Sequence, residues 1–354
     1  MNTEIIKIED GKGDISTSEL SLLKKAAEIL KSGGLVVFPT ETVYGLGGDA
    51  TNPSASEKIY KAKGRPSDNP LIIHISRPED AEKYAYTTDI YYKLAERFMP
   101  GPITVILKAR GSVPEKTRGG LETVAVRCPE NKIANKLIEL ADVAIAAPSA
   151  NLSGSPSPTK ASHVIDDMMG RVDMIIDGGE CDIGLESTIV KADEDGSLCL
   201  LRPGGITVDE LSEIAPVRLA DAVVNKLKEG EVAISPGMKY RHYAPKAPLV
   251  LLDGDISDAI SYIGDNAKGR VAVVCYTEDK ESIRKALPNV TLLELGELGD
   301  FDEHAHRLFD ILREADKMCF DIIFAPLPEK RGIGLALYNR MIRAAAHTII
   351  NLRR

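Results

Sequence analysis

Two lysines and three arginines in this chain fall where the backbone is predicted to change direction. Lys61, Lys63 and Arg65 crowd the end of a short predicted helix that closes at Gly64 and is stopped by Pro66, and Asn69 follows within the same turn. Arg127 ends the apolar run Thr123–Arg127 just before Pro129, and Arg202 leaves the run Leu198–Leu201 into Pro203-Gly-Gly205. Guanidinium forks suit phosphate and carboxylate groups, so arginines recurring at strand exits point to binding and neutralising an anion during group transfer. A plainer account of the first cluster is that it complements the helix dipole, at about 0.3–1 kcal/mol per cation, and faces water.

The elements that must hold these residues can be read around them. Gly33-Gly34 is a turn and Leu35–Phe38 a buried strand bounded by Pro39, so Thr40, Glu41 and Thr42 leave its carboxyl end, where open α/β sheets place ligands. The glycine run Gly45–Gly48 reads as loop. Asn52-Pro53-Ser54 signals a helix start, with the helix running from Ser56 to about Lys63. The next strand, Leu71–Ile75, carries His74 among apolar neighbours; taken alone, such a histidine is a satisfied core residue. Val143–Ala147 is an apolar strand that opens past Pro148 into Ser149-Ala-Asn151 and on to Ser157-Pro158. The plain reading of that loop is a polar turn capping a helix near Lys160. Met174–Gly179 and Glu186–Val190 are strand-like, and Asp193-Glu-Asp-Gly196 is the turn of a hairpin that joins Thr188–Lys191 to Leu198–Leu201.

At 354 residues the chain is too long for one typical core and predicts two domains. From Leu249 onward, strands and helices alternate through a last helix at Leu335–Ile350, which predicts a parallel, doubly wound, Rossmann-like sheet. Its first turn, Asp253-Gly-Asp-Ile256, lacks a dinucleotide fingerprint, so no cofactor is assigned to it. The amino-terminal residues carry early acids and no long apolar core, no run reaches membrane-spanning length, and five scattered cysteines fit reduced thiols in the cytoplasm. A net charge of −9 argues against a surface-wide nucleic-acid binder but leaves a local cationic groove open. Standard P-loop, zinc-protease and hydrolase-elbow motifs are absent.

Pro39-Thr-Glu-Thr-Val-Tyr-Gly-Leu46, Lys63-Gly-Arg65 with Pro70-Leu71, and Ser149-Ala-Asn151 together resemble the signature of the YrdC-like enzymes, in particular the two-domain threonylcarbamoyl-AMP synthases. The resemblance covers roughly residues 15–215. It implies a YrdC-like twisted open α/β catalytic domain over 1–217, a linker and active-site lid over 218–248, and a smaller Rossmann-like domain over 249–354. It further implies that L-threonine, bicarbonate and ATP give threonylcarbamoyl-AMP and pyrophosphate, the activated intermediate for modifying the adenosine next to the anticodon in tRNA. Partners would be those substrates and, transiently, tRNA and a downstream threonylcarbamoyl-transfer complex, with no membrane. By the same resemblance Thr42, His74, Arg127, Ala147 and Ser187 hold threonine. Lys61, Lys63, Arg65, Asn69, Thr123, Ser149, Asn151, Ser157 and Arg202 hold ATP with Tyr243 closing over it, and Lys63, Arg65, Ser149 and Asn151 are the catalytic set. Mg2+ is expected through the phosphates, without a protein-built metal site.

The stretch Ser235-Pro-Gly-Met238 through Tyr240-Arg-His-Tyr243 to Pro248 has no helical period and reads as an extended segment whose aromatic and cationic residues suit a lid. Two competing readings are a non-catalytic RNA-binding module built on the Lys61–Arg65 cations and the carbamoyl-transfer module of hydrogenase maturation factors. The latter should bring zinc-type cysteine pairs, which the sequence lacks.

Overall fold

The computed structural model describes residues 2–9, 13–225 and 243–353, and the chain divides into two compact units, residues 1–153 with 157–240, and residues 154–156 with 241–354. The first unit is built on β1 (Glu4–Lys7), β2 (Val36–Phe38), β3 (Gly45–Asp49), β4 (Ile72–His74), β5 (Ala85–Tyr86), β6 (Ile103–Ala109), β7 (Thr123–Arg127), β8 (Ile145–Ala146), β9 (Met174–Asp177), β10 (Thr188–Ala192), β11 (Leu198–Arg202) and β12 (Val217–Leu219). They form one mixed sheet in the order β1-β9-β2-β3-β8-β4-β7-β6-β10-β11-β12, with β5 paired to β6. Its helices are α1 (Thr17–Lys31), α2 (Pro53–Lys63), α3 (Asp89–Phe98), α4 (Glu115–Arg118), α5 (Lys132–Ala141), α6 (Ala161–Met168) and α7 (Val208–Ser212).

Local chemistry accounts for the elements near the strand ends. α2 starts earlier than Ser56 because the Asn52 side chain accepts from the Ser54 amide and Pro53 takes the first helical position; it ends at Gly64 with φ 62°. α5 begins where the Asn131 side chain accepts from the amides of Ile133 and Ala134. α1 and α5 pack together over β1, β2 and β9, burying Leu23, Leu30, Ile133, Leu137, Val36 and Ile176 in one apolar cluster.

The glycine run is a buried strand rather than a loop. β3 runs antiparallel between β2 and β8, and a Cβ added at Gly47 would sit 2.7 Å from a Phe38 ring carbon and 2.8 Å from Ile145 Cγ2. Those glycines are there for close packing between neighbouring strands, not to wrap a phosphate.

The second unit holds β13 (Leu249–Asp253), β14 (Val271–Tyr276), β15 (Thr291–Gly296), β16 (Ile322–Pro326) and β17 (Ile349–Asn351), all parallel, in the order β15-β14-β16-β13-β17. The helices are α8 (Ile256–Asn266), α9 (Lys280–Ala286), α10 (Phe301–Met318) and α11 (Gly334–Ala344). The expected helix to Ile350 therefore stops six residues early. Ala346 and His347 take positive φ, and the β-branched Thr348-Ile-Ile350 that follows pairs with β13. Among the described residues no helix is long and apolar enough to cross a membrane, and all five cysteines are unbridged.

Gly47→Ala is expected to cost about 1–3 kcal/mol through overpacking. A lower urea midpoint in equilibrium unfolding would register it, and an unchanged midpoint would mean that Phe38 can move aside.

Candidate active site

Strand register places His74, Arg127, Thr104 and Arg202 in one transverse row that passes through the apolar Ile189. His74 pairs with Arg127, Arg127 with Thr104, Thr104 with Ile189 and Ile189 with Arg202, across β4, β7, β6, β10 and β11. Residues directly opposite on neighbouring strands face the same side of a sheet, so His74, Arg127 and Thr104 share a face. Two residues back along the strands, the same face is apolar and clusters Ile72, Ala125 and Ile106 with Ile189. A polar row thus borders a greasy floor.

At one end of the row Arg127 is 4% exposed and Nη2 donates to Glu41 Oε1 at 2.7 Å and to Thr40 Oγ1 at 3.4 Å, while Nε has no partner among the described residues. Thr40 Oγ1 donates to the Val43 carbonyl at 2.7 Å and lies 2.9 Å from the Thr42 hydroxyl. His74, also buried, stands edge-on to Phe38, and its Nδ1 has no partner either. Burial first, and the Arg127 charge second, push the imidazole down to about 3 against opposing backbone hydrogen bonds with Ile145 and Ile72. A neutral imidazole carries one donor and one acceptor nitrogen, and in His74 the buried Nδ1 is left to meet a ligand. The Ala147 amide is spent on the Ile72 carbonyl at 2.9 Å.

At the other end, Arg202 donates from Nε to the Ser187 carbonyl at 3.0 Å and from Nη2 to Ser187 Oγ at 3.1 Å, and Ser187 Oγ lies 2.8 Å from Thr104 Oγ1. Ser157 Oγ, fully buried, donates to Glu186 Oε1 at 2.5 Å.

The loop after β8 meets the end of α2. Lys63 Nζ, 3% exposed, donates to the Ser149 carbonyl, to the Asn151 carbonyl at 2.6 Å and to Asn151 Oδ1 at 3.3 Å. Ser149 Oγ donates to Asn151 Oδ1 at 2.6 Å. Arg65 is held by the carbonyls of Asn69 at 3.2 Å and Pro70 at 3.0 Å, and the buried Asn69 Oδ1 has no partner among the described residues. These cations are buried and locked to carbonyl oxygens, so the helix-dipole account fits only the third, Lys61. That side chain is exposed and lines a separate cavity of about 410 Å³ with Lys58, Ala62, Arg171 and Asp173.

Thr123 is half-buried at the start of β7, four residues from Arg127 at its end. Tyr243 belongs to the second unit, where it is buried, stacks on Phe309 at 5.2 Å and has the Arg340 guanidinium 5.5 Å from its ring centre. Of the expected linker and lid over 218–248, residues 226–242 lie outside the described residues. Reasoning from sequence missed Glu41, Thr104 and Glu186 as site residues. Glu41 had a usable signal, since a buried arginine requires a counter-charge and this is the one acid between Phe38 and Asp49. Thr104 and Glu186 had none, because their partners Ser187 and Ser157 come from distant parts of the chain.

The depressed His74 value has a sign. Below its ordinary 6.5 the unfolded histidine takes a proton that the folded one refuses until about 3, so stability is fully present above 6.5 and declines as pH falls through that window. His74→Asn should flatten the stability curve between pH 6.5 and 4 in denaturant titrations; parallel curves would show that His74 is not buried neutral.

Residues 28–204 match the Sua5/YciO/YrdC family described as telomere recombination, and residues 206–346 match the threonylcarbamoyl-AMP synthase C-terminal domain. The chain is 43% identical over 342 residues to the threonylcarbamoyl-AMP synthase of Pyrococcus abyssi, covering 93% of this chain and 96% of that protein. It is 41% identical over 346 residues to the Bacillus subtilis threonylcarbamoyl-AMP synthase, covering 96% and 97%. The crystal structure of P. abyssi Sua5 complexed with L-threonine superposes with a TM-score of 0.88 at 40% identity, covering 99% of this chain and all of that one. Escherichia coli YciO shares the fold of the first part, with a TM-score of 0.52 at 24% identity over 60% of this chain.

Proposed function

We propose that this chain, which belongs to the Sua5/YciO/YrdC family and carries the C-terminal domain of the threonylcarbamoyl-AMP synthases, makes threonylcarbamoyl-AMP and pyrophosphate from L-threonine, bicarbonate and ATP. The product is the activated intermediate for threonylcarbamoylation of tRNA, and the enzyme is a nucleotidyltransferase. One observation supports this most directly. Arg127 Nε, a charged donor, and His74 Nδ1, on a neutral imidazole, lie buried on paired strand residues with no partner among the described residues. A buried polar atom left without a partner costs about 1–3 kcal/mol, and a carboxylate beside a hydroxyl satisfies both.

In this reading Arg127 takes the threonine carboxylate, His74 and Thr42 read its hydroxyl, and Ser187 and the backbone at Ala147 close the pocket. The threonine amine and bicarbonate give an N-carboxy-threonine with loss of water. Its carboxylate oxygen attacks the α-phosphorus of ATP, the bond to the bridging oxygen breaks, and pyrophosphate leaves. The nucleophile is already ionised, so the protein's task is positioning and charge neutralisation. Lys63 and Arg65 supply the charge and Ser149 and Asn151 shape the loop beside them. Asn69, Ser157, Thr123 and Arg202 contribute around the nucleotide, while Lys61, exposed on a different cavity, is not assigned to it. Magnesium, held through phosphate oxygens rather than a protein cage, would lower the charge of the leaving pyrophosphate. Residues 1–217 form the catalytic domain, 218–248 the linker and lid, and 249–354 the second domain. An RNA-binding groove on Lys61–Arg65 is not favoured, because Lys63 and Arg65 are buried and committed to carbonyl oxygens.

Lys63→Ala and Arg65→Ala should each cut threonine- and bicarbonate-dependent pyrophosphate release by about 100-fold or more with the circular dichroism spectrum retained. Near-normal turnover at saturating substrates in either variant would remove the phosphate-binding role.

A second expectation concerns the substrate. Loss of one methyl is worth only about 1–3 kcal/mol, whereas leaving a buried polar acceptor unpaired is penalised far more, so serine should be used much better than valine. Comparable rates with valine, in the same assay, would rule out hydroxyl reading at His74 and Thr42.

A further inference from the structure

We propose that Glu41 is a positioning residue: it holds the Arg127 guanidinium by Nη2 alone, so that Nε stays turned to the substrate's carboxylate. This rests on the assignment of Arg127 to threonine. The Glu41–Arg127 contact is 2.7 Å between side chains each 5% exposed, and the acid is itself anchored. The Glu41 carbonyl accepts from the Ile183 amide at 2.8 Å, and Oε2 faces the Asn131 amide at the start of α5 at 3.4 Å. Glu41 is therefore tied to two other elements and cannot follow a guanidinium that swings away.

A guanidinium is planar, so fixing one terminal nitrogen on a rigid carboxylate restricts its plane and leaves Nε with a defined direction. Thr40 Oγ1 receives the same Nη2 at 3.4 Å, a weaker second restraint from the residue next in the chain.

Geometry and charge make opposite demands on conservative variants, and this separates positioning from simple neutralisation. Glu41→Gln keeps an oxygen that can accept from Nη2 but loses the charge. Glu41→Asp keeps the charge but draws the acceptor back by one methylene. Threonine binding is measured by calorimetry on the full chain, together with KM for threonine and for ATP in the pyrophosphate assay. Positioning predicts that Glu41→Gln stays within about 3-fold of wild type in threonine affinity. It predicts that Glu41→Asp loses about 10-fold or more, with ATP KM and kcat moving less than about 3-fold. The reverse order of the two variants, unchanged threonine affinity in Glu41→Asp, or an equal rise in ATP KM would each overturn the proposal. If wild type itself bound no threonine, the assignment of Arg127 would fail with it. If wild type bound threonine and released pyrophosphate while the variants ranked otherwise, only the role of Glu41 would fall.

Discussion

Buried cations must be surrounded by acceptors, and in this protein the acceptors are mostly backbone carbonyl oxygens. Lys63 ends on the carbonyls of Ser149 and Asn151, Arg65 on those of Asn69 and Pro70, and Arg202 on that of Ser187. Each loop carbonyl so used fixes a peptide plane, and the side chains of those loops are thereby aimed. The ammonium of Lys63 does for residues 149–151 what a strand partner does for a strand. Removing it would leave carbonyls without donors as well as a site without a charge, which is why activity and fold have to be read separately in the variants.

The architecture around these cations was largely legible because it is written in local chemistry. β7 and the β10–β11 hairpin have strong periodicity and turn signals, and the alternation after Leu249 resolves into five parallel strands. Where tertiary packing overrides local preference, reading failed. β3 looks like loop because Gly45–Gly48 has no β propensity; it is a strand because Phe38, Ala147 and Ile145 leave no room for a Cβ. The last helix was overextended because Leu335–Ile350 holds no proline or glycine to stop it, and the positive φ at Ala346 and His347 separates α11 from β17.

The site residues divide along the same line. The candidates Thr42, His74, Arg127, Lys63, Arg65, Ser149 and Asn151 all lie within short motifs or at strand exits; the structure joins Lys63 to Ser149 and Asn151 by hydrogen bonds and sets His74 in register with Arg127. Partners that come from far along the chain, such as Thr104 against Ser187 or Ser157 against Glu186, carry no mark in either local sequence. In the second unit, the fully buried Arg340 beside Tyr243 and Asn339 is likewise invisible before folding. Its position in the middle of an apolar helix reads as surface charge until the ring and the amide are placed around it.

The transverse row from His74 to Arg202 has a consequence for how such a site can change over time. Because neighbouring strands hold it at one level, the row depends on the count of residues along each strand as well as on their types. One residue gained or lost within β7 ahead of Arg127 would turn the guanidinium to the opposite face and bring an apolar neighbour such as Val126 in its place. Length variation should therefore gather in the turns, such as the one at Asp193–Gly196, while the strands that carry the row keep their number of residues even where their apolar side chains drift.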